Sequence, residues 1–174
     1  MPVPTSPPRI DDKPWVVGGA ITVAAWLIFL FRVTVPAQIV FDEVHYVRAA
    51  HALLALSGPE NIEHPLLGKE AIALGIWLFG DTPFGWRFFS TVAGAATIAG
   101  VFALGRLLTR TTRGGVLAAT LALLGFTVYV QARIAMLDTF MLPFLVWGIA
   151  LRGQSMTTGS AARWSAGAMM LGLA

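Results

Sequence analysis

Long apolar segments alternate with short polar ones along this chain. Residues 15–36 and 88–107 are each apolar over about 20 residues, the length that a helix needs to cross a bilayer. Residues 116–151 form a single apolar stretch, which as one helix would measure ~54 Å against a hydrocarbon core of ~30 Å. It must fold back, and the polar residues available for a turn are Gln131, Arg133 and Asp138. The pattern predicts spans at about 15–36, 88–107, 116–131 and 139–152, and the start of another at 164.

Two polar regions lie outside these spans. Residues 1–14 contain five prolines and mixed charge, which is typical of a disordered tail. Residues 37–86 hold six of the nine acidic residues and all three histidines. Periodicity predicts two short helices there, Glu43 to Leu56 and Lys69 to Phe79. The second measures only ~17 Å, too short to cross, so we expect surface helices in a loop.

Composition narrows the class of protein. Of the 174 residues, 56% are hydrophobic and 12% are charged, whereas soluble domains average about 45–50% and about 25%. These values exclude a soluble domain, a disordered chain and a fibre, and favour an integral membrane protein. The apolar segment from Trp164 to Ala174 supplies roughly half of a span of ~20 residues. We therefore expect the front part of a longer polytopic protein, inactive on its own.

The basic residues predict an orientation. The net charge of +3 and the pI near 10.0 would suggest nucleic acid in a soluble protein, but in membrane proteins such charges mostly set topology. With the N-terminus and tail in the cytoplasm, seven Arg and Lys residues lie inside and four outside, and Arg32 lies near the far end of the first span. Residues 37–86 and the turn near Arg133 then share the extracytoplasmic face. We expect a multi-pass plasma-membrane protein with no nucleic-acid partner.

Asp42 and Glu43 follow the first apolar segment and open a short helix. Asp42 in the N-cap position and Glu43 in the first turn would both stabilise that helix. Acidic residues at a membrane edge also tend to mark functional sites, and a carboxylate there can act as a general base towards a hydroxyl group. The two interpretations are compatible, because a cap also holds a base in one pose.

The segment Glu63-His64-Pro65-Leu66-Leu67-Gly68-Lys69 is a second candidate. Pro65 favours the entry to a helix, and Gly68 permits close approach of a backbone or ligand. Lys69 either extends to lipid headgroups or offers a charge to a phosphate near the helix N-terminus.

Arg133 and Asp138 flank the expected turn. They either form an ion pair that stabilises the turn, or Arg133 binds a lipid-linked phosphate while Asp138 orients the Asp42 side of the site. His45 and His51 lie six residues apart and so on different helix faces, which argues against a zinc site. The chain has no cysteine, which removes thiolate ligands and nucleophiles. We expect no cofactor, without excluding a metal.

Four segments resemble the protein O-mannosyltransferase family: FDEVHYVRAA (41–50), IEHPLLGKEAIALGIWLFG (62–80), FGWRFF (84–89) and QARIAMLDTF (131–140). The likeness runs over about residues 15–152, although the family usually has a second proline where this chain has Leu66. It implies an all-α polytopic membrane protein with a C-type glycosyltransferase-like helical fold. Such enzymes transfer mannose from a polyprenyl- or dolichyl-phosphate carrier to Ser or Thr hydroxyls of acceptor proteins, with inversion.

The resemblance also implies roles for individual residues. Asp42 would be the catalytic base and Glu43 its support. Lys69 and Arg133 would bind the phosphate of the donor, with His64 and Asp138 as further members of the substrate site.

Two alternatives differ in chemistry. A related lipid-carrier-dependent glycosyltransferase, such as one that transfers aminoarabinose to a lipid, would share this layout and differ in its donor. A non-enzymatic transporter or scaffold would use the Asp and Arg residues for ions or assembly, and would keep its function when Asp42 is replaced by Asn.

Overall fold

The computed structural model describes residues 13–174, which form eight α-helices and no β-strand. The helices are α1 (Pro14–Leu30), α2 (Glu43–Leu54), α3 (Leu66–Phe79), α4 (Pro83–Thr109), α5 (Thr112–Leu124), α6 (Phe126–Gln131), α7 (Leu137–Thr158) and α8 (Ala161–Leu173). The all-α prediction is confirmed for this part of the chain. The predicted tail lies outside the described residues except for its last two positions.

Helix α4 lies at the centre and contacts α1, α3, α5, α6 and α7. Helix α1 runs antiparallel to it. Gly18, near the start of α1, lies against Phe102, and the indole N–H of Trp26 donates to the hydroxyl of Thr91 at 3.1 Å. The end of α1 is therefore next to the beginning of α4.

Helix α7 runs parallel to α4. The Cα of Gly100 faces Trp147, and that of Gly153 faces Leu107. The last residues of α1 and the first residues of α4 and α7 consequently lie at one end of the bundle. We call it the loop end; it carries residues 31–42, α2, α3 and residues 132–136.

Small residues on α4 allow this packing. A Cβ added to Gly94 would lie 2.4 Å from the Cβ of Ala132, and one added to Gly100 would lie 3.0 Å from Val146. Close approach at small residues is a common means of helix association in lipid. Gly94 and Gly100 are thus points of close contact between α4 and its neighbours.

Several helix boundaries differ from the sequence-based expectation. Helix α1 ends at Leu30 rather than near Pro36, because the chain turns at Arg32 with φ of 55°. The stretch 116–131 is interrupted at Gly125, which has an extended ψ of 118° and separates α5 from α6. Helix α7 continues past residue 152 to Thr158, where Gly159 ends it with φ of 66°.

Among the described residues, one helix is long and apolar enough by itself to span a membrane, namely α4. Helices α1 and α5 are apolar but shorter. The number of crossings stays a prediction.

Helices α2 and α3 pack together over the start of α7. Their shared core contains Val47 from α2, Ile72 from α3 and Phe140 from α7. A Cβ on Gly68 would lie 2.6 Å from Leu137, so this glycine does permit the close approach expected of it, here between α3 and the start of α7.

Candidate active site

A buried ion pair organises the loop end. The carboxylate of Glu43, the first residue of α2, faces the guanidinium of Arg87 in the second turn of α4, and both side chains are fully buried. Arg87 Nε donates to Glu43 Oε1 and Arg87 Nη2 to Glu43 Oε2, each at 2.7 Å. Paired, parallel bonds of this kind fix both the distance and the orientation of the two groups.

Arg87 also holds the irregular segment between α1 and α2. Its remaining N–H groups donate to the carbonyl oxygens of Val33 at 3.1 Å, Pro36 at 2.7 Å and Gln38 at 3.0 Å. All five donors of the guanidinium are thereby used. A loop with no regular structure of its own obtains partners for its backbone from one buried side chain.

Glu43 is saturated in the same way. Besides the two bonds from Arg87, its carboxylate accepts from the backbone N–H of Val40 at 2.9 Å and of Ala135 at 2.8 Å. Four bonds occupy all the acceptor positions of a carboxylate. Glu43 therefore has no acceptor position left for a further hydrogen bond.

Asp42, one residue earlier, has a different environment. It is partly buried, and among residues 13–174 its carboxylate makes no hydrogen bond or ion pair. Asp42 occupies the N-cap position of α2, but its backbone is already helical, with φ of −72° and ψ of −5°, so the side chain caps nothing. The capping interpretation is wrong for its side chain, which is left free.

Three carboxylates act on the phenol of Tyr46, one turn after Asp42. Burial raises the pKa of Tyr46 above 10.0, and the charges of Asp42, Asp138 and Glu63 raise it further. Like charges disfavour ionisation of a neighbouring acid only when they lie near it. Asp42 and Asp138, 96 positions apart, therefore share one neighbourhood around this ring.

His64 and Asp138 line one cleft with the backbone of Gly68 and apolar residues of α3, α7 and α8. The His64 ring also meets the Tyr46 ring edge-on, with centroids 5.7 Å apart. The predicted site residues Asp42, Glu43, His64 and Asp138 thus lie at the loop end, together with Lys69 on α3 and Arg133 before α7.

Lys69 differs from the expectation that it offers a free charge to a phosphate or a headgroup. It is 1% exposed, and its ammonium donates to the carbonyl oxygens of Glu60, Asn61 and His64, at 3.3 Å and 2.8 Å for the first and last of these. An ammonium has three N–H donors, and all three are used. Lys69 therefore holds the segment that carries His64, and no direct contact with a ligand phosphate is available to it.

Arg133 makes no ion pair with Asp138, so the turn-stabilising pair is not formed. Its Nη1 donates to the hydroxyl of Tyr129 at 2.7 Å, and its Nη2 to the carbonyl oxygens of Phe31 at 2.7 Å and Arg32 at 3.0 Å. The predicted turn does exist, between the end of α6 at Gln131 and the start of α7 at Leu137.

The histidines do not converge. His51 Nε2 lies 3.0 Å from Asp81 Oδ1 and so pairs with a carboxylate. The hydrogen bond that Asp81 accepts from Trp86 holds the pKa of Asp81 below 3.8, and the interaction with His51 lowers that pKa further. Across residues 13–174, no three His, Asp or Glu side chains are grouped as metal ligands.

Sequence reasoning missed Arg87 and Tyr46. A signal existed for Arg87: it lies in the apolar string FGWRFF, and a charge in such a place needs a partner. For Tyr46 the sequence offered one signal, its position four residues after Asp42, and such a spacing occurs in every helix.

Comparison with known proteins points to one family. Two profiles described as dolichyl-phosphate-mannose-protein mannosyltransferase match, one over residues 63–174 and the other over residues 19–86. No solved structure matches the chain.

Two mycobacterial relatives have names that agree with these profiles. The chain is 34% identical over 155 residues to a polyprenol-phosphate-mannose–protein mannosyltransferase of Mycobacterium tuberculosis, covering 84% of this chain and 30% of that protein. It is 31% identical over 159 residues to the protein of that name in Mycolicibacterium smegmatis, covering 86% and 31%. A third relative is the undecaprenyl phosphate-alpha-4-amino-4-deoxy-L-arabinose arabinosyl transferase of Edwardsiella ictaluri, 30% identical over 141 residues, covering 75% and 25%. The chain thus spans about a third or less of the length of these relatives.

Proposed function

The chain belongs to the dolichyl-phosphate-mannose-protein mannosyltransferase family, and on that premise we propose that it takes part in mannose transfer. The donor is a polyprenyl- or dolichyl-phosphate mannose, and the acceptor is a Ser or Thr hydroxyl of a protein. The reaction is a single displacement with inversion at the sugar carbon. The names of the mycobacterial relatives support the donor and the protein acceptor.

One observation carries the assignment of the base: Asp42 has an unused carboxylate directly beside the saturated Glu43. In the proposed step the acceptor oxygen attacks C1 of mannose and gives its proton to Asp42. The bond from C1 to the phosphate oxygen breaks, and its electron pair leaves with the lipid phosphate. Because its carboxylate has no partner among residues 13–174, Asp42 can accept this proton without first releasing another group.

The remaining site residues bind the donor in this proposal. Arg133 contacts the phosphate, since its side chain is only partly buried and its Nη1, which donates to Tyr129, has a second N–H without a partner among the described residues. His64 and Asp138, which share a cleft, contact the sugar. Glu43 and Lys69 position this site through the loops that they hold.

We place the loop end on the extracytoplasmic face of the plasma membrane, in a multi-pass protein. Five arginines at the opposite end support this topology, because none forms an ion pair among residues 13–174 and cytoplasmic ends carry such an excess. They are Arg106, Arg110, Arg113, Arg152 and Arg163. Exposed leucines at positions 117, 121 and 124 give α5 an apolar outer face suited to lipid.

The test is mannose transfer by the enzyme that carries residues 1–174, assayed with polyprenyl-phosphate mannose and an acceptor peptide. Asp42→Asn keeps the shape of the side chain and removes the base, so we expect at least a ~100-fold loss of rate. Glu70→Gln is the matched control, an exposed carboxylate on α3. Transfer by Asp42→Asn at the wild-type rate would rule out Asp42 as the base.

The Edwardsiella relative supports a second candidate, transfer of aminoarabinose from a lipid carrier. The two candidates share the phosphate and differ in the sugar and acceptor. Assaying both donors with the same protein distinguishes the two candidates. We expect turnover with the mannose donor and none with the aminoarabinose donor.

A further inference from the structure

A cleft beside the end of α1 contains two arginines. It is lined by Phe31, Arg32, Val35, Tyr129 and Arg133. Arg32 is exposed, and among residues 13–174 its guanidinium makes no hydrogen bond or ion pair. Arg133 is bound only by neutral oxygens, and its Nε has no partner there. The cleft therefore carries two positive charges and no carboxylate.

The other basic side chains of the loop end are all accounted for. Arg87 is paired with Glu43, and Arg48 Nε lies 2.7 Å from Glu60 Oε2. Lys69 is buried with three carbonyl acceptors. This contrast separates Arg32, whose guanidinium has no partner among residues 13–174, from the basic residues around it.

The backbone holds the two arginines together. Arg32 has φ of 55°, a left-handed conformation that is costly for a side chain of this kind and that recurs at functional sites. In this turn the carbonyl groups of Phe31 and Arg32 both accept from Nη2 of Arg133. The main chain of Arg32 is thus bound to the guanidinium of Arg133, and the side chains of both arginines line the cleft.

The rim of the cleft is apolar. Phe31 is 67% exposed and Val35 is 52% exposed, although both are large hydrophobic residues. A ligand that matches two positive charges beside an apolar surface has an anionic group, such as a phosphate, at one end and a hydrocarbon chain at the other. Guanidinium groups bind phosphate through paired hydrogen bonds, which suits the charged part.

We propose that Arg32 is a second phosphate-binding residue, and that Arg32 and Arg133 together hold the phosphate monoester of an isoprenoid carrier. Phe31 and Val35 contact the first part of its chain. This assignment rests on the proposed function and adds to it a residue, a cleft and the place of the lipid.

The Glu43–Arg87 pair couples this cleft to Asp42. Arg87 binds the carbonyl of Val33, next to Arg32, while Glu43 binds the N–H of Ala135, two residues from Arg133. Both walls of the cleft and the proposed base are consequently fixed by the same buried pair.

The test measures binding of farnesyl phosphate to the protein in phosphatidylcholine nanodiscs, with no sugar present. We expect Arg32→Gln to weaken binding about 10-fold, the loss of one charge-assisted contact, and Arg32→Lys to weaken it less. The matched control is Arg110→Gln, since Arg110 is also exposed and has φ of 57° but lies at the other end of α4. Equal affinity of the wild type and Arg32→Gln, with unchanged helical circular dichroism, overturns the proposal.

Further arms identify the source of the phosphate. Farnesol, which lacks the phosphate, should bind without dependence on Arg32. Inorganic phosphate that binds as tightly as farnesyl phosphate would overturn the lipid assignment. The third arm uses nanodiscs that contain phosphatidylglycerol. If this anionic lipid abolishes the part of the binding that depends on Arg32, the cleft binds a membrane headgroup, and the assignment to an isoprenoid carrier is overturned.

Because the assay involves no transfer, it is independent of the catalytic proposal. An Asp42→Asn enzyme that still transfers mannose contradicts the base and leaves the cleft intact. An Arg32→Gln protein that binds normally contradicts the cleft and leaves the base intact.

Discussion

Glu43 and Arg87, 44 positions apart, meet in a fully buried pair with two nitrogen–oxygen distances of 2.7 Å. The pair joins four parts of the chain: the segment after α1, the start of α2, the start of α4 and the turn before α7. Burying two charges is costly unless every donor and acceptor is satisfied, and here all are. The loop end depends on this pair for its geometry.

Breaking this pair should destabilise the protein strongly. We expect Glu43→Gln to lower the free energy of unfolding by about 3–5 kcal/mol, because it leaves Arg87 buried and uncompensated. Unfolding followed by helical circular dichroism in detergent measures the change. The control is Arg48→Gln, whose partner Glu60 is 39% exposed and whose own side chain is 75% exposed. That variant should cost about 1 kcal/mol or less, and equal effects of the two would contradict a special place for the buried pair.

Lys69 should act on a loop and not on a ligand. Lys69→Met removes the three hydrogen bonds that the ammonium donates to carbonyl oxygens of residues 60–64. We therefore expect faster amide hydrogen exchange in these residues and a loss of stability of about 1–3 kcal/mol. The affinity for farnesyl phosphate should stay within about 2-fold, as no lost contact involves an anion. Lys13→Met, at the chain's other lysine and exposed, is the control. Unchanged exchange in residues 60–64 would contradict the structural role.

Tyr46 reports on the grouping of acidic residues. Its raised pKa means that the folded state holds the phenolic proton more tightly than the unfolded state, whose value is near 10.0. The resulting stabilisation is present below that pH and is lost as the pH rises through the folded pKa. An ultraviolet titration of phenolate should show Tyr46 ionising above 10.0, and Asp42→Asn or Asp138→Asn should each lower that pKa.

The effect of each substitution should be partial, because burial is the largest cause of the shift in the pKa of Tyr46. Glu70→Gln, whose charge is not among the causes, should leave the pKa unchanged. A titration unaffected by Asp42→Asn and Asp138→Asn would place these carboxylates away from the ring.

Gly75 sets the distance between α3 and α4. A Cβ at this position would lie 2.2 Å from the carbonyl oxygen of Gly85, which is backbone and does not yield easily. We expect Gly75→Ala to cost about 1–3 kcal/mol, as overpacking does. Gly19→Ala meets nothing within 4 Å and should be neutral or stabilise α1 by about 0.5–1 kcal/mol. The midpoint of denaturation in detergent measures both, and equal shifts would show that packing is not the cause.

Much of the fold could be predicted from the sequence. The beginning of α2 at Glu43, the end of α3 at Phe79 and the turn after Gln131 follow from local patterns of apolar and polar residues. Such patterns depend on neighbouring positions only, so one sequence is enough to recognise them.

The hydrogen-bond partners of the charged side chains could not be predicted from the sequence. The sequence by itself determined an all-α chain with apolar helices, an acidic loop and the candidate residues Asp42, His64, Arg133 and Asp138. Only the tertiary structure decided that Glu43 is saturated, that Lys69 faces backbone carbonyls, and that Arg133 binds Phe31 rather than Asp138. A hydrogen bond depends on angstrom distances between segments far apart in the chain, and residue spacing carries no information about those distances.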